Sequence, residues 1–195
     1  MLCTKICSIY KNRKESDGLC PNHVKTVIKF SNLTKNDIDI ILQLIATPVL
    51  HTSEGEIVEY GIDFNKIIPE PTTIEECPED CRVESAKEAP ISEDETRPWF
   101  NWYDWRYTYW GTKWNAYDCY TLIGKSWIKF VFSTAWNVAS PVIHRLDLLG
   151  YDMNIKFADE DLGSNCGEMI YSRRTGWTTF CDKSYTFAKN LWEKY

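Results

Sequence analysis

Val24-Lys25-Thr26-Val27-Ile28-Lys29-Phe30, followed after Ser31 and Asn32 by Thr34-Lys35-Asn36-Asp37-Ile38-Asp39-Ile40-Ile41-Leu42-Gln43-Leu44-Ile45, is the stretch on which the fold turns. The first run is short and β-branched and lies between Pro21-Asn22 and Ser31-Asn32, which reads as a strand. In the second, Thr34 can cap a helix whose Ile38, Ile41, Leu42 and Ile45 recur at the spacing of one buried face, and the helix must end before Pro48.

The same order returns later in the chain. Ile128, Phe130 and Phe132 alternate with Trp127, Lys129 and Val131 as a strand does. Ser140-Pro141 opens a helix that turns Val142, Ile143, Leu146 and Leu149 inward and closes at Gly150, and Met153 to Phe157 forms a further strand. Between the two units, Glu56 to Phe64 and Lys66-Ile67-Ile68 read as extended pieces stopped by Pro69 and Pro71. Thr72 to Ser85 reads as a short polar helix and Glu88 to Glu95 as loop. Glu168 to Tyr171 and Gly176 to Phe180 fit a hairpin, and Tyr185 to Trp192 a terminal helix. Two βαβ units side by side predict an α+β class, the ferredoxin-like or split βαβ sandwich of a sheet with helices on one face. The organisation this implies is an N-terminal extension over 1–20 and one domain over 21–195, with a helical, aromatic-rich insertion at about 72–108.

Composition bounds the function. The chain has 195 residues, 44% hydrophobic and 26% charged, enough for one sizeable core. No run approaches the roughly 20 apolar residues of a membrane span, and Leu2 to Ile9 is too short and too interrupted for a secretion signal, so a soluble, intracellular (cytoplasmic) protein is expected. The net charge is -6. It is concentrated between Glu70 and Arg97, where ten acidic residues face three basic ones. An acidic chain with one short basic arm lacks the broad positive face that general nucleic-acid binding requires, and the acidic stretch reads as solvated chain in preference to nucleic-acid mimicry.

Residues 97–120 carry eleven aromatic side chains in twenty-four positions. Trp99, Trp102, Trp105 and Tyr109 follow one another at the spacing of a helical stripe beginning near Pro98. Trp110, Trp114 and Tyr117 lie next to a strand and are expected to be buried. Such a block either anchors a core or presents a recognition surface, and Trp102, Tyr103, Trp105, Arg106 and Tyr107 are the candidate partner-binding residues.

Four strings together resemble the Api92-like family of phage and plasmid proteins with a ferredoxin-like domain. They are Pro21-Asn22-His23-Val24, Phe64-Asn65-Lys66-Ile67-Ile68-Pro69, Tyr109-Trp110-Gly111-Thr112-Lys113-Trp114-Asn115-Ala116-Tyr117 and Phe130-Val131-Phe132-Ser133-Thr134-Ala135-Trp136. The likeness runs from about Pro21 to about Tyr171, and the Trp-Gly-Thr-Lys-Trp-Asn-Ala-Tyr string is its most specific part. It implies a mobile-element protein of uncharacterised activity and supplies no catalytic residues. The first twenty residues depart from the pattern, because Pro-Asn-His-Val usually opens the chain.

That arm holds Cys3, Cys7 and Cys20, which with His23 make a set of four soft ligands for a structural zinc ion. The competing reading is that His23 belongs to the strand and the eight cysteines are reduced thiols. Cys77 and Cys81 form a weaker pair, flanked by carboxylates, and Cys166 and Cys181 are expected to pack in the terminal hairpin. No nucleotide loop, nucleophile elbow or zinc-protease motif occurs. Asp159, Glu160 and Asp161 read as a turn, and Arg173-Arg174 as an exposed hairpin tip. The function expected is therefore non-enzymatic and needs no cofactor beyond that zinc. It is a mobile-element protein that occludes a host protein, as an inhibitor of a defence system of the anti-CRISPR kind. The alternatives are a nucleotide sponge gripping its ligand with stacked rings, Arg106 and Lys113, and then a metal-dependent nuclease or phosphodiesterase built on Asp159 to Asp161.

Overall fold

Strand β1 (His23–Ser31) lies inside a six-stranded sheet in the computed structural model, which describes residues 22–51, 57–82, 99–180 and 184–195. The other strands are β4 (Tyr117–Ile123), β5 (Trp127–Ala135), β6 (Asp152–Asp159), β7 (Gly167–Ser172) and β8 (Gly176–Phe180), in the spatial order β4-β5-β1-β6-β7-β8. Every neighbouring pair is antiparallel. The protein is of the α+β class.

Alternation along β1 sends Val24, Thr26, Ile28 and Phe30 to one face of the sheet, where the register sets Phe132, Phe130 and Ile128 of β5 and Phe157, Ile155 and Met153 of β6 opposite Thr26, Ile28 and Phe30. Helix α1 (Lys35–Ile45) covers this face with Ile38, Ile41 and Ile45, and helix α4 (Ser140–Arg145), continued by the 3-10 turn Leu146–Leu149, covers it with Val142, Ile143 and Leu146. Helix α1 starts where Thr34 caps it: the Thr34 hydroxyl accepts from the Asp37 N–H at 3.2 Å, and Asp37 accepts from the Thr34 N–H at 2.8 Å. Gly150 closes the 3-10 turn in the left-handed region at φ 69°. On the opposite face, Val27, Val131, Ala158 and Cys166 form a smaller core under Ala188 and Leu191 of helix α5 (Tyr185–Lys194).

The segment between α1 and β4 differs from the sequence reading in three places. Helix α1 runs directly into a hairpin of β2 (Ala46–His51) and β3 (Ile57–Ile62). Pro48 is tolerated there because β2 is paired on one side only, with a register shift beyond Pro48. Lys66-Ile67 belongs to the short helix α2 (Phe64–Ile67), not to an extended piece, since the Asp63 carboxylate accepts from the Asn65 N–H at 3.0 Å and starts a helical turn. The polar helix over Thr72 to Ser85 does not form in its described part, which holds turns and a single 3-10 turn, Glu79–Cys81. Pro78 has no N–H to give and interrupts any longer helix. The extension over 1–20, with Cys3, Cys7 and Cys20, and the stretch 83–98 lie outside the described residues. Among the described residues no helix is long and apolar enough to cross a membrane.

Candidate functional site

The aromatic block is held at both ends. Phe100 bridges Arg82 and the Asn101 N–H donates to Cys81 O at 3.0 Å, which ties the start of the block to the 3-10 turn. Asn101 then caps helix α3 (Trp102–Tyr109), its side-chain oxygen accepting from the Asp104 N–H at 3.2 Å. One side of α3 faces inward. Trp105 is 3% exposed, stacked on Tyr109 at 5.0 Å and edge-on to Phe100 and Trp110. Trp110 donates its indole N–H to Ile68 O at 2.9 Å and meets Phe64, which in turn meets Phe132 of β5. This chain of edge-to-face rings fixes α3 to the sheet.

Arg106 lies between the Trp102 and Trp110 rings, at 5.0 and 5.1 Å from their centroids, and is ion-paired with Glu70. With Arg106 17% and Glu70 11% exposed, that charge serves packing before it serves a ligand. Trp102 is half-buried, and its indole N–H is shielded from solvent without an acceptor among the described residues.

The outward side is a ridge. Tyr103 is 36% exposed, contacts Tyr107 at 4.7 Å and Trp102 at 5.7 Å, and stands over the Lys113 ammonium at 5.6 Å. The same ammonium is 5.4 Å from both Trp114 and Trp136, which are themselves stacked at 6.4 Å. Burial, then its hydrogen bond to Tyr103, pushes the Tyr107 hydroxyl well above the ordinary phenol value, so Tyr107 is neutral. Trp136 holds φ 61°, an unusual setting for a large aromatic residue, secured by its N–H to Asn22 O at 2.8 Å and by Asn165 donating to its carbonyl at 3.2 Å.

Of the residues chosen from sequence, α3 therefore brings Tyr103 to the surface, leaves Trp102 and Tyr107 half-buried beside it, and uses Trp105 and Arg106 beneath. Trp114 and Tyr117 are half-buried, whereas Trp110 is fully enclosed. Trp136 escaped the sequence reading, and its only signal was a tryptophan directly after a strand, within the last of the four strings. Beside α3 a cavity of about 310 Å³ is walled by Pro69, Pro71 and Pro78 on one hand and Trp105 and Tyr109 on the other.

No reactive thiol serves these surfaces among the described residues. Cys77, Cys81 and Cys119 are free thiols, and burial pushes Cys77 up, Cys81 to about 11 and Cys119 to about 12. Asp159, Glu160 and Asp161 form the turn read from sequence and close the start of β1. Glu160 accepts from the His23 N–H at 3.0 Å, Asp159 accepts from the Asp161 N–H at 2.9 Å, and Asn22 donates to Asp161 at 2.5 Å. The His23 ring is 2.5 Å from the Tyr117 hydroxyl, which uses the Nδ1 position. Among the described residues no group of three His, Cys, Asp or Glu could hold a metal ion, and the other three zinc candidates lie outside them. Arg173 covers Tyr151 at 5.3 Å, and His144 packs on Trp177 at 4.6 Å.

Comparison of the chain with protein-family models, with curated proteins and with solved structures returns no match.

Proposed function

We propose that the chain is a non-enzymatic binding protein of a phage or other mobile element that occludes a host protein, with a component of host defence as its target. The observation that carries this reading is the ridge of Tyr103, Tyr107, Trp114 and Trp136, whose two ring pairs meet at the Lys113 ammonium and whose tyrosines stand on helix α3, itself fixed by Trp105 and Trp110. Aromatic residues fixed in place before binding lose little conformational entropy on docking and are the residues that dominate interfaces. Trp102, Trp105 and Arg106 then act as its support. The four strings that resemble the Api92-like family support the mobile-element origin and a bacterial cytoplasmic setting.

We read β4-β5-β1-β6, antiparallel with α1 and α4 on one face, as a split βαβ, ferredoxin-like unit to which β7, β8 and α5 are added. The nucleotide-sponge reading is weaker, because Arg106 is already engaged by Glu70. The carboxylates of the nuclease reading are occupied in closing β1.

The test is expression of the protein in bacteria whose defence systems restrict an indicator phage. Restored plating with the native chain, abolished by Tyr103→Ala with Tyr107→Ala, is the expected result. Restoration by neither chain across CRISPR-based and restriction systems sinks the reading. Tyr103 is exposed, so the single Tyr103→Ala chain should keep its melting temperature while losing activity, which separates impaired binding from any loss of fold caused by removing half-buried Tyr107.

A further inference from the structure

The sheet face under α5 carries charge where a sheet normally avoids it. Lys25, Val27 and Lys29 of β1, Lys129 and Val131 of β5 and Lys156 of β6 all point to this side, and Lys29 stands directly opposite Lys129 in the register. Like charges in directly opposed positions destabilise a strand pair. Lys156 is answered by Glu168 at 3.6 Å, but among the described residues neither Lys29 nor Lys129 makes an ion pair. Both ammonium groups lie over a single indole instead, that of Trp127, at 6.0 and 5.0 Å.

Helix α5 covers only part of the face. It buries Val27, Val131 and Ala158, and Lys129 donates to the Tyr195 hydroxyl at 3.2 Å. Trp127 is half-buried and Leu122, opposite Lys129 on β4, is exposed. Lys125 is exposed in the turn just before Trp127. The indole is packed closely from one side: a Cβ on Gly124 would come within 2.2 Å of the ring, so only glycine lets the backbone approach it there. The local field is positive, since the Tyr195 hydroxyl, although burial pushes it up, is held below its ordinary value by Lys129 and Lys194.

We propose that Trp127 with Lys29, Lys125 and Lys129 forms a platform for single-stranded nucleic acid, the lysines meeting phosphates and the indole stacking on a base. A flat basic surface with a fixed ring is the arrangement that binds unpaired strands, whose bases expose their faces. A duplex hides those faces and needs the broad positive surface that a chain of net charge -6 lacks. An acidic peptide would meet the lysines and leave the indole unused. This platform is on the opposite side of the sheet from α1 and α4 and does not depend on the ridge around Tyr103.

Fluorescence anisotropy of labelled 12-nucleotide DNA and RNA strands with the full chain tests it, from low salt upward. Binding to single strands is expected. In the Lys29→Gln, Lys129→Gln chain affinity should fall at least about tenfold and the salt slope by about 1.4, at roughly 0.7 for each phosphate that is no longer neutralised. That chain is also relieved of a like-charge pair, so its melting temperature should hold or rise. Trp127→Leu should weaken binding about 5- to 150-fold, the equivalent of one stacked base. If Trp127→Leu fails to fold, the lysine variant decides alone. Absence of binding at the lowest salt, equal affinity for a duplex of the same length, equal displacement by polyglutamate, or unchanged affinity of the lysine variant each overturns the proposal.

Discussion

Thr26 sits at the centre of β1, fully buried, with its hydroxyl lacking a partner among the described residues. A buried hydroxyl without a hydrogen bond forfeits its hydration and gains nothing in return. Val has the same branched shape and suits a strand equally. Thr26→Val is therefore expected to raise stability by about 0.5–2 kcal/mol, read as a higher urea midpoint at unchanged slope. A lower midpoint would show that the hydroxyl has a partner after all. The contrast with Thr134 makes the point, because that hydroxyl, equally enclosed on β5, donates to Asn137 O at 2.7 Å and should not tolerate the same change.

At the scale of elements, α1 depends on its first turn. Hydrogen bonds from Thr34, and after them one from Tyr151, hold the Asp37 carboxyl below its ordinary value. A carboxylate depressed in the folded state contributes stability above its unfolded pKa, here 3.8, and loses it as pH falls through the lower folded value. Thr34→Ala should cost about 1 kcal/mol at neutral pH. The gap between the two chains should narrow as the solution is acidified below 3.8, and a constant gap would refute the linkage. The turn after α3 has a different constraint. Gly111 holds φ 78° with Pro141 Cδ only 2.7 Å from where a Cβ would stand, so Gly111→Ala should destabilise by more than about 1 kcal/mol and disturb the seat of α3 on α4. An unchanged melting temperature would contradict it. These elements also mark what the sequence could disclose. β1, α1, β5, α4 and the terminal hairpin were legible because each buries one face at a clean period and carries its own cap or turn. In the β2–β3 hairpin, β3 was legible as the extended piece at Glu56 to Phe64, but β2 was not, since Pro48 argues against a strand unless pairing is one-sided, a tertiary fact. In α3 aromatic residues occupy every side, so the period could not tell buried Trp105 from exposed Tyr103. The setting of Trp136 has no signature outside glycine and asparagine, and the opposition of Lys29 to Lys129 exists only once β1 and β5 are in register.

For the molecule as a whole, two cores share one sheet. Val27 and Ile28 are adjacent on β1, as are Phe130 and Val131 on β5, and in each pair one residue serves the α1–α4 side and the other the α5 side. Neither core can melt while the other keeps those strands in place, so unfolding should be a single transition. Leu191 is 5% exposed in the smaller core and Trp110 is 2% exposed in the larger. Removing either side chain leaves a cavity, with Leu191→Ala expected to cost about 2–5 kcal/mol and Trp110→Ala about 3–5 kcal/mol. The two sites lie on opposite faces without a shared partner, so the double variant should show the sum of the two costs to within about 0.5 kcal/mol. Far-ultraviolet circular dichroism and tryptophan fluorescence should trace the same urea curve in all four chains. If α5 instead undocks on its own, Leu191→Ala will leave the main transition where it is and only add an early fluorescence phase, as Trp192 leaves its hydrogen bonds to Ala158 O and Asp159 O. That outcome would make α5 a removable cover over the lysine face instead of part of the fold.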